Sequence, residues 1–311
     1  MFLPKTETDF EIVYQAATNS SANYTEYYTE ENRNLSIDIT DPEQTKFHTD
    51  KDNFDCETHV QVRLLWSIDL PYDFETNKIN ETPSTINEFE HNSNFNGFAC
   101  FSCIGGRKPQ PVIPEIHEIV IHIHGGGFVG MSSNAHQNVT RKWANKINIP
   151  IFSIDYGCAP EFPYPRGLED CWQAYKWIIQ YSKIHLGIKP NRIILVGDSA
   201  GGNFCCGVTT LAIQNNFRVP DCLILAYPAL DLSTERFYPS YLLGINDFML
   251  NLIMIKIFQD AYLHEKWDPE NDPLLSPFVI PDDVLERFPK IRILSASCDP
   301  LRDQAIKFTN R

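Results

Sequence analysis

The stretch Arg192-Ile193-Ile194-Leu195-Val196-Gly197-Asp198-Ser199-Ala200-Gly201-Gly202 decides the fold. A short run of apolar, largely β-branched residues predicts a buried strand. It runs directly into small residues that predict a helix over 199–214, with no loop between the two. A strand that turns this sharply into a helix forces neighbouring backbone close together, and glycine is the residue that tolerates such an approach. A glycine-rich turn of this kind is also compatible with a phosphate loop. The lysine of G-x-x-x-x-G-K-[ST] is missing here, which argues against that alternative.

Working outward, the same alternation of strand and helix recurs. Residues 118–124, 150–156, 222–227 and 291–296 read as four more buried strands. A helix is expected over about 166–183, and an apolar helix near 241–262 lies in a long insertion before the last strand. Short strands separated by helices imply βαβ units and a mainly parallel sheet covered on both faces. The insertion is expected to act as a lid or a pocket wall. Its apolar residues Leu242, Leu243, Phe248, Leu250 and Leu252 suit either a lipid-facing surface or ordinary packing.

The first 110 residues differ in character. Residues 1–100 hold 6 of the 26 basic and 19 of the 40 acidic side chains, so nearly all of the net charge of −14 lies there. This region reads as an acidic, polar segment, partly disordered or a small subdomain, with an edge strand at Val60–Trp66. Residues 111–311 then form the second unit. The chain lacks the clustered lysines and arginines that a nucleic-acid partner requires. No uncharged apolar run reaches the roughly 18–20 residues of a membrane span, and no secretory leader is evident. Nine cysteines, two of them adjacent at Cys205 and Cys206, suit free thiols better than a disulfide framework. Together these features predict a cytoplasmic protein. The pair His122 and His124 has no accompanying ligand cluster, so no metal is expected, and no cofactor is implied.

Two motifs carry chemistry. Gly197-Asp198-Ser199-Ala200-Gly201 has the form G-x-S-x-G at a strand-to-helix junction, which lifts a serine hydroxyl above the sheet beside a helix N-terminus. His124-Gly125-Gly126-Gly127 follows the 118–124 strand, and consecutive glycines let several N–H groups point into one cavity. Both lie at the C-terminal ends of strands, the edge of an open α/β sheet where sites form.

With these motifs the chain resembles the hormone-sensitive lipase family of α/β-hydrolases, nearest to the animal-type members, over Ile119–Arg311. The resemblance includes Ser153–Glu161, the Asp170-Cys171-Trp172 region, Tyr227-Pro228-Ala229 and Asp299-Pro300-Leu301-Arg302-Asp303. It implies an α/β-hydrolase fold with a helical insertion and a serine hydrolase acting on lipid esters of the acylglycerol or cholesteryl ester type. It makes Ser199 the nucleophile and Asp299 the carboxylate that orients the base, with Asp303 a weaker candidate. It assigns the oxyanion-binding N–H groups to Gly126, Gly127 and Ala200, and a loop-supporting role to His124 and Gly125. Its partners would be the ester substrate and, transiently, a lipid droplet or membrane surface. A general short-chain carboxylesterase and a non-catalytic ligand-binding member are the alternatives.

The triad of this fold runs serine, acid, histidine along the chain. None of the nine histidines follows Asp299, and His264 lies before it. No helix stop signal precedes Arg311. The expectation is therefore a hydrolase domain cut short before its last strand and helix, with very low activity as it stands. The competing expectation is a true short product that has lost its base.

Overall fold

The computed structural model describes residues 116–311, apart from 246, 248 and 264–266, and the strand segments at 9–16, 35–39, 46–49, 59–66, 72–73 and 78–79. The expected loop at 80–96, Phe248 and His264 lie outside the described residues.

A nine-stranded sheet forms the centre. In chain order its strands are β1 (Asp9–Ala16), β2 (Leu35–Ile39), β3 (Lys46–Thr49), β4 (His59–Trp66), β7 (Ile116–Ile123), β8 (Ile151–Asp155), β9 (Ile188–Asp198), β10 (Cys222–Ala226) and β11 (Lys290–Leu294), while β5 (Tyr72–Asp73) and β6 (Lys78–Ile79) pair separately. The spatial order is β11-β10-β9-β7-β8-β4-β1-β2-β3. From β11 to β8 all pairs are parallel; β4 joins β8 antiparallel, and strands from either side of residue 110 thus share one sheet.

The helices are α1 (Ser133–Ile147), α2 (Arg166–Leu186), α3 (Ala200–Gln214), α4 (Leu252–Tyr262), α5 (Asp282–Leu285) and α6 (Arg302–Thr309). Strand alternation sends Ile119, Ile121, Ile123, Ile193 and Leu195 into the main core with α2 and α3. Val120 turns the other way, into a smaller cluster with Leu65, Ala144 of α1 and Ile151. Every residue of α3 from Ala200 to Ile213 is buried, which explains its small and apolar composition. Cys205 and Cys206 sit within it as free thiols. α1 begins at Ser132, whose hydroxyl accepts the Ala135 N–H at 3.1 Å, and ends at Asn148 in the left-handed region.

Two expectations are corrected here. Val60–Trp66 is an interior strand, flanked by β8 on one side and β1 on the other. Arg63 within it is buried, and its Nε donates to Ser133 Oγ at 3.4 Å. The helix expected near 241–262 begins only at Leu252. Asp247 Oδ1 accepts the N–H groups of Met249 (2.6 Å) and Leu250 (2.8 Å), forming a turn, and Asn251 Oδ1 then caps α4 by accepting the Met254 N–H at 3.0 Å. Among the described residues no helix is long and apolar enough to cross a membrane.

Candidate active site

The sheet order reverses around β7: the next strand, β8, lies on one side of it and the following one, β9, on the other. In parallel open sheets a crevice opens at such a switch, beyond the C-terminal ends of the strands. Both sequence motifs end there. Ile123 of β7 pairs with Gly197 of β9, which brings the loop 124–127 against the turn 198–200.

Ser199 has φ 51° and ψ −117°, a strained conformation for a residue with a side chain, and is the last residue before α3. Its backbone is tied on every side. The Ser199 N–H donates to the Ala226 carbonyl at 2.9 Å, and the Ser199 carbonyl accepts N–H groups from Gly202 (3.0 Å) and Ala229 (3.1 Å). The turn is this tight because α3 starts against β7: a Cβ on Gly201 would collide with the carbonyl oxygen of Ile123. Gly126 takes φ +127°, where an L side chain is strained.

Asp198 locks the two motifs together. Its Oδ1 accepts the Gly125 N–H at 3.1 Å, and its Oδ2 lies 3.3 Å from His136 Nε2 on α1. Burial pushes the Asp198 carboxyl up, but the His136 hydrogen bond, the His136 charge and the Gly125 N–H outweigh it and hold the group below the usual carboxylate range. His124 is fully buried. Its Nδ1 donates to the Gly125 carbonyl at 2.8 Å, its ring stacks on Tyr156 at 4.2 Å, and the Tyr156 hydroxyl donates to its carbonyl at 2.9 Å. Burial depresses its basicity, partly opposed by Asp155. Buried His122, bonded to Ser153 Oγ at 2.8 Å, is pushed down to about 3 by desolvation. Asp155 in turn accepts Ser133 N–H (2.6 Å) and Oγ–H (2.7 Å).

The insertion roofs the glycine loop. The Phe258 ring of α4 covers the face of Gly127 where a Cβ would stand. Tyr262 stacks on Phe128, with ring centroids 4.1 Å apart and planes 8° from parallel. Leu242, Leu243 and Leu252 are exposed, together with Ile245, Met249, Ile253 and Ile257, whereas Leu250 packs on the main core.

Asp299 follows β11, at the same sheet edge as Ser199. Its Oδ1 accepts the Leu301 N–H at 2.8 Å, and burial raises its pKa against that bond. Asp303 is engaged elsewhere: it accepts the Ser240 N–H at 2.8 Å and pairs with Arg302 at 3.0 Å, which ties α6 to the insertion. Among the described residues no hydrogen bond joins a histidine to Ser199 or to Asp299. The contributions of Asp198 and His136 are not apparent from the motifs alone. The one sequence signal was a histidine twelve residues beyond His124, on the helix after the glycine loop.

Comparison with known proteins agrees with this geometry. A family model described as alpha/beta hydrolase fold matches residues 120–311. Over 156 residues the chain is 43% identical to the hormone-sensitive lipase of Mus musculus, covering 50% of this chain and 20% of that protein. It is 28% identical over 206 residues to the ethyl acetate hydrolase of Pseudomonas putida, covering 65% of this chain and 62% of that one. A solved hyperthermophilic esterase from the archaeon Pyrobaculum calidifontis superposes with a TM-score of 0.58 at 30% identity, covering 63% of each chain. In each case the match spans less than two thirds of the relative. With a family match over most of its length and the parallel sheet, strained serine turn and glycine loop in place, the chain belongs to the α/β-hydrolase fold family.

Proposed function

We propose that the chain is a serine carboxylic-ester hydrolase acting on lipid esters through an acyl-enzyme on Ser199. The observation that carries this reading is Ser199, held at positive φ at the head of α3 and joined through Asp198 to the Gly125–Gly127 loop. A hydroxyl so placed attacks an acyl carbonyl, and the N–H groups of Gly126, Gly127 and Ala200 receive the developing oxyanion. His124 keeps the loop in shape through Gly125, and Asp299 orients the base. Two features support lipid esters of the acylglycerol or cholesteryl ester type: the similarity to hormone-sensitive lipases and the exposed apolar residues of the insertion. That surface also suits transient contact with a lipid droplet or membrane, and the free cysteines suit the cytoplasm.

The polypeptide Met1–Arg311 has no histidine after Asp299. Without a base to take the Ser199 proton, turnover should fall by a factor on the order of 10⁴–10⁶. The test compares purified Met1–Arg311 on dispersed triacylglycerol and on nitrophenyl acetate, with Ser199→Ala as control. Slow, Ser199-dependent release favouring the dispersed lipid supports the reading. Preference for the soluble ester favours a short-chain esterase, a reading to which the similarity to ethyl acetate hydrolase points. Near-normal turnover would defeat the claim of a missing base.

A further inference from the structure

Both ring nitrogens of His136 face acceptors. Nδ1 lies 3.2 Å from the Ser132 carbonyl oxygen and Nε2 lies 3.3 Å from Asp198 Oδ2. Neither a carbonyl nor a carboxylate has a proton to give, so both nitrogens must donate, and only the imidazolium ion does that. We propose that His136 is a fixed cation behind the nucleophile turn, a positioning residue that neutralises Asp198 and keeps its carboxylate aimed at the Gly125 N–H.

The surroundings divide the charge between three histidines. The His122 and His124 rings lie 5.5 and 5.7 Å from that of His136. His122 is held down to about 3 by burial and is neutral, and burial also lowers His124, whose Nε2 lies 3.5 Å from Asp155 Oδ1, too long for a hydrogen bond. His136 is less buried and is raised, first by the Asp198 hydrogen bond. The groups facing it are Asp198 at the end of β9, Asp155 at the end of β8, His122 and His124 at the end of β7, and the Ser132 carbonyl at the head of its own helix. Two carboxylates against two rings whose basicity burial lowers favour the cation.

For catalysis the consequence rests on the ester-hydrolase reading. Asp198 immediately precedes Ser199, so an uncompensated carboxylate there would oppose the oxyanion forming beside the glycine loop. The His136 charge removes that opposition. As pH rises through the elevated pKa of His136, one of its two hydrogen bonds must be lost, and Asp198 reverts to an unpaired anion.

The test is ¹⁵N NMR of the full chain with labelled histidine and glycine, assigned by His136→Gln. Imidazolium shifts for His136 at pH 6 are expected, with a midpoint above the ordinary value of about 6.5. The Gly125 amide should titrate with the same midpoint, and Asp198→Asn should lower it. A His136 midpoint at or below 6.5, or a Gly125 amide indifferent to it, overturns the proposal; the wild-type titration alone decides this if either variant misfolds. In the activity arm, His136→Gln should lower the Ser199-dependent kcat for nitrophenyl acetate by roughly tenfold at unchanged KM. That is less than the roughly 10²–10³ of a direct oxyanion donor. Should a fluorophosphonate leave Ser199 of the folded parent unmodified, the ester-hydrolase reading fails, while the NMR midpoints still decide the charge of His136.

Discussion

Replacing Gly201 by alanine probes the contact that makes the serine turn possible. A Cβ at this position would stand 2.7 Å from both the His124 carbonyl oxygen and the Ile123 carbonyl carbon, and would clash outright with the Ile123 carbonyl oxygen. These are backbone atoms at the end of a central strand, so no side-chain rotation relieves them. Overpacking of this kind costs about 1–3 kcal/mol, and an unyielding backbone places the cost near the upper end. Alanine recovers about 0.5–1 kcal/mol of helix propensity within α3. The net loss is then about 2 kcal/mol, or a drop in Tm of about 3 °C for a chain of this size. Gly130→Ala is the matched control, because a Cβ there meets nothing within 4 Å; its effect should stay within about 0.5 kcal/mol. Urea unfolding followed by tryptophan fluorescence compares the two. Equal stability of both variants would refute the argument that close approach of α3 to β7 dictates glycine at 201.

Three further perturbations follow from other parts of the structure. Asn203→Ala removes a buried amide that donates to the Ala229 and Leu275 carbonyls, each at 2.9 Å; leaving both unpaired should cost about 2–4 kcal/mol by chemical denaturation. Asp231→Asn weakens a buried carboxylate paired with Arg236 at 2.7 Å and bonded by the Tyr238 hydroxyl at 2.5 Å. Arg236 is about a third exposed, so the loss should be about 2–3 kcal/mol, below that of a fully buried pair, and should appear as a lower urea midpoint. The His136–Asp198 pair gives stability a pH signature. His136 is raised in the folded state, so its contribution is complete below the unfolded value of about 6.5 and fades as pH rises through the folded one. Asp198→Asn should therefore destabilise more at pH 6 than at pH 9.5 in thermal melts at the two pH values, and an equal loss at both would contradict the pairing.

How much was legible in the sequence follows from which forces are local. The strand from Arg192 to Gly197 and the helix behind it are encoded in apolar runs and small residues, and they form as read, with β9 extending back to Ile188. α2 runs three residues past the expected Lys183, to Leu186, because the left-handed stop is Gly187, with φ 69°. The interior place of β4 was hidden because the alternation of Val60–Trp66 is compatible with an edge strand, whereas Arg63 is buried and bonded to Ser133, 70 residues away. The role of His136 was hidden for the same reason. Its partner Asp198 is 62 residues distant and is brought near only when β7 and β9 pair. The glycine motifs were readable because close backbone approach leaves a composition signal, and a long-range hydrogen bond leaves none.

The central claim is that the turn between β9 and α3 presents Ser199 as the nucleophile. Incubation of folded Met1–Arg311 with a fluorophosphonate, followed by peptide mass spectrometry, tests it most directly. A slow, single adduct on Ser199, absent from Ser199→Ala, is the predicted result; a folded protein that stays unmodified, or carries its adduct on another residue, would contradict the account.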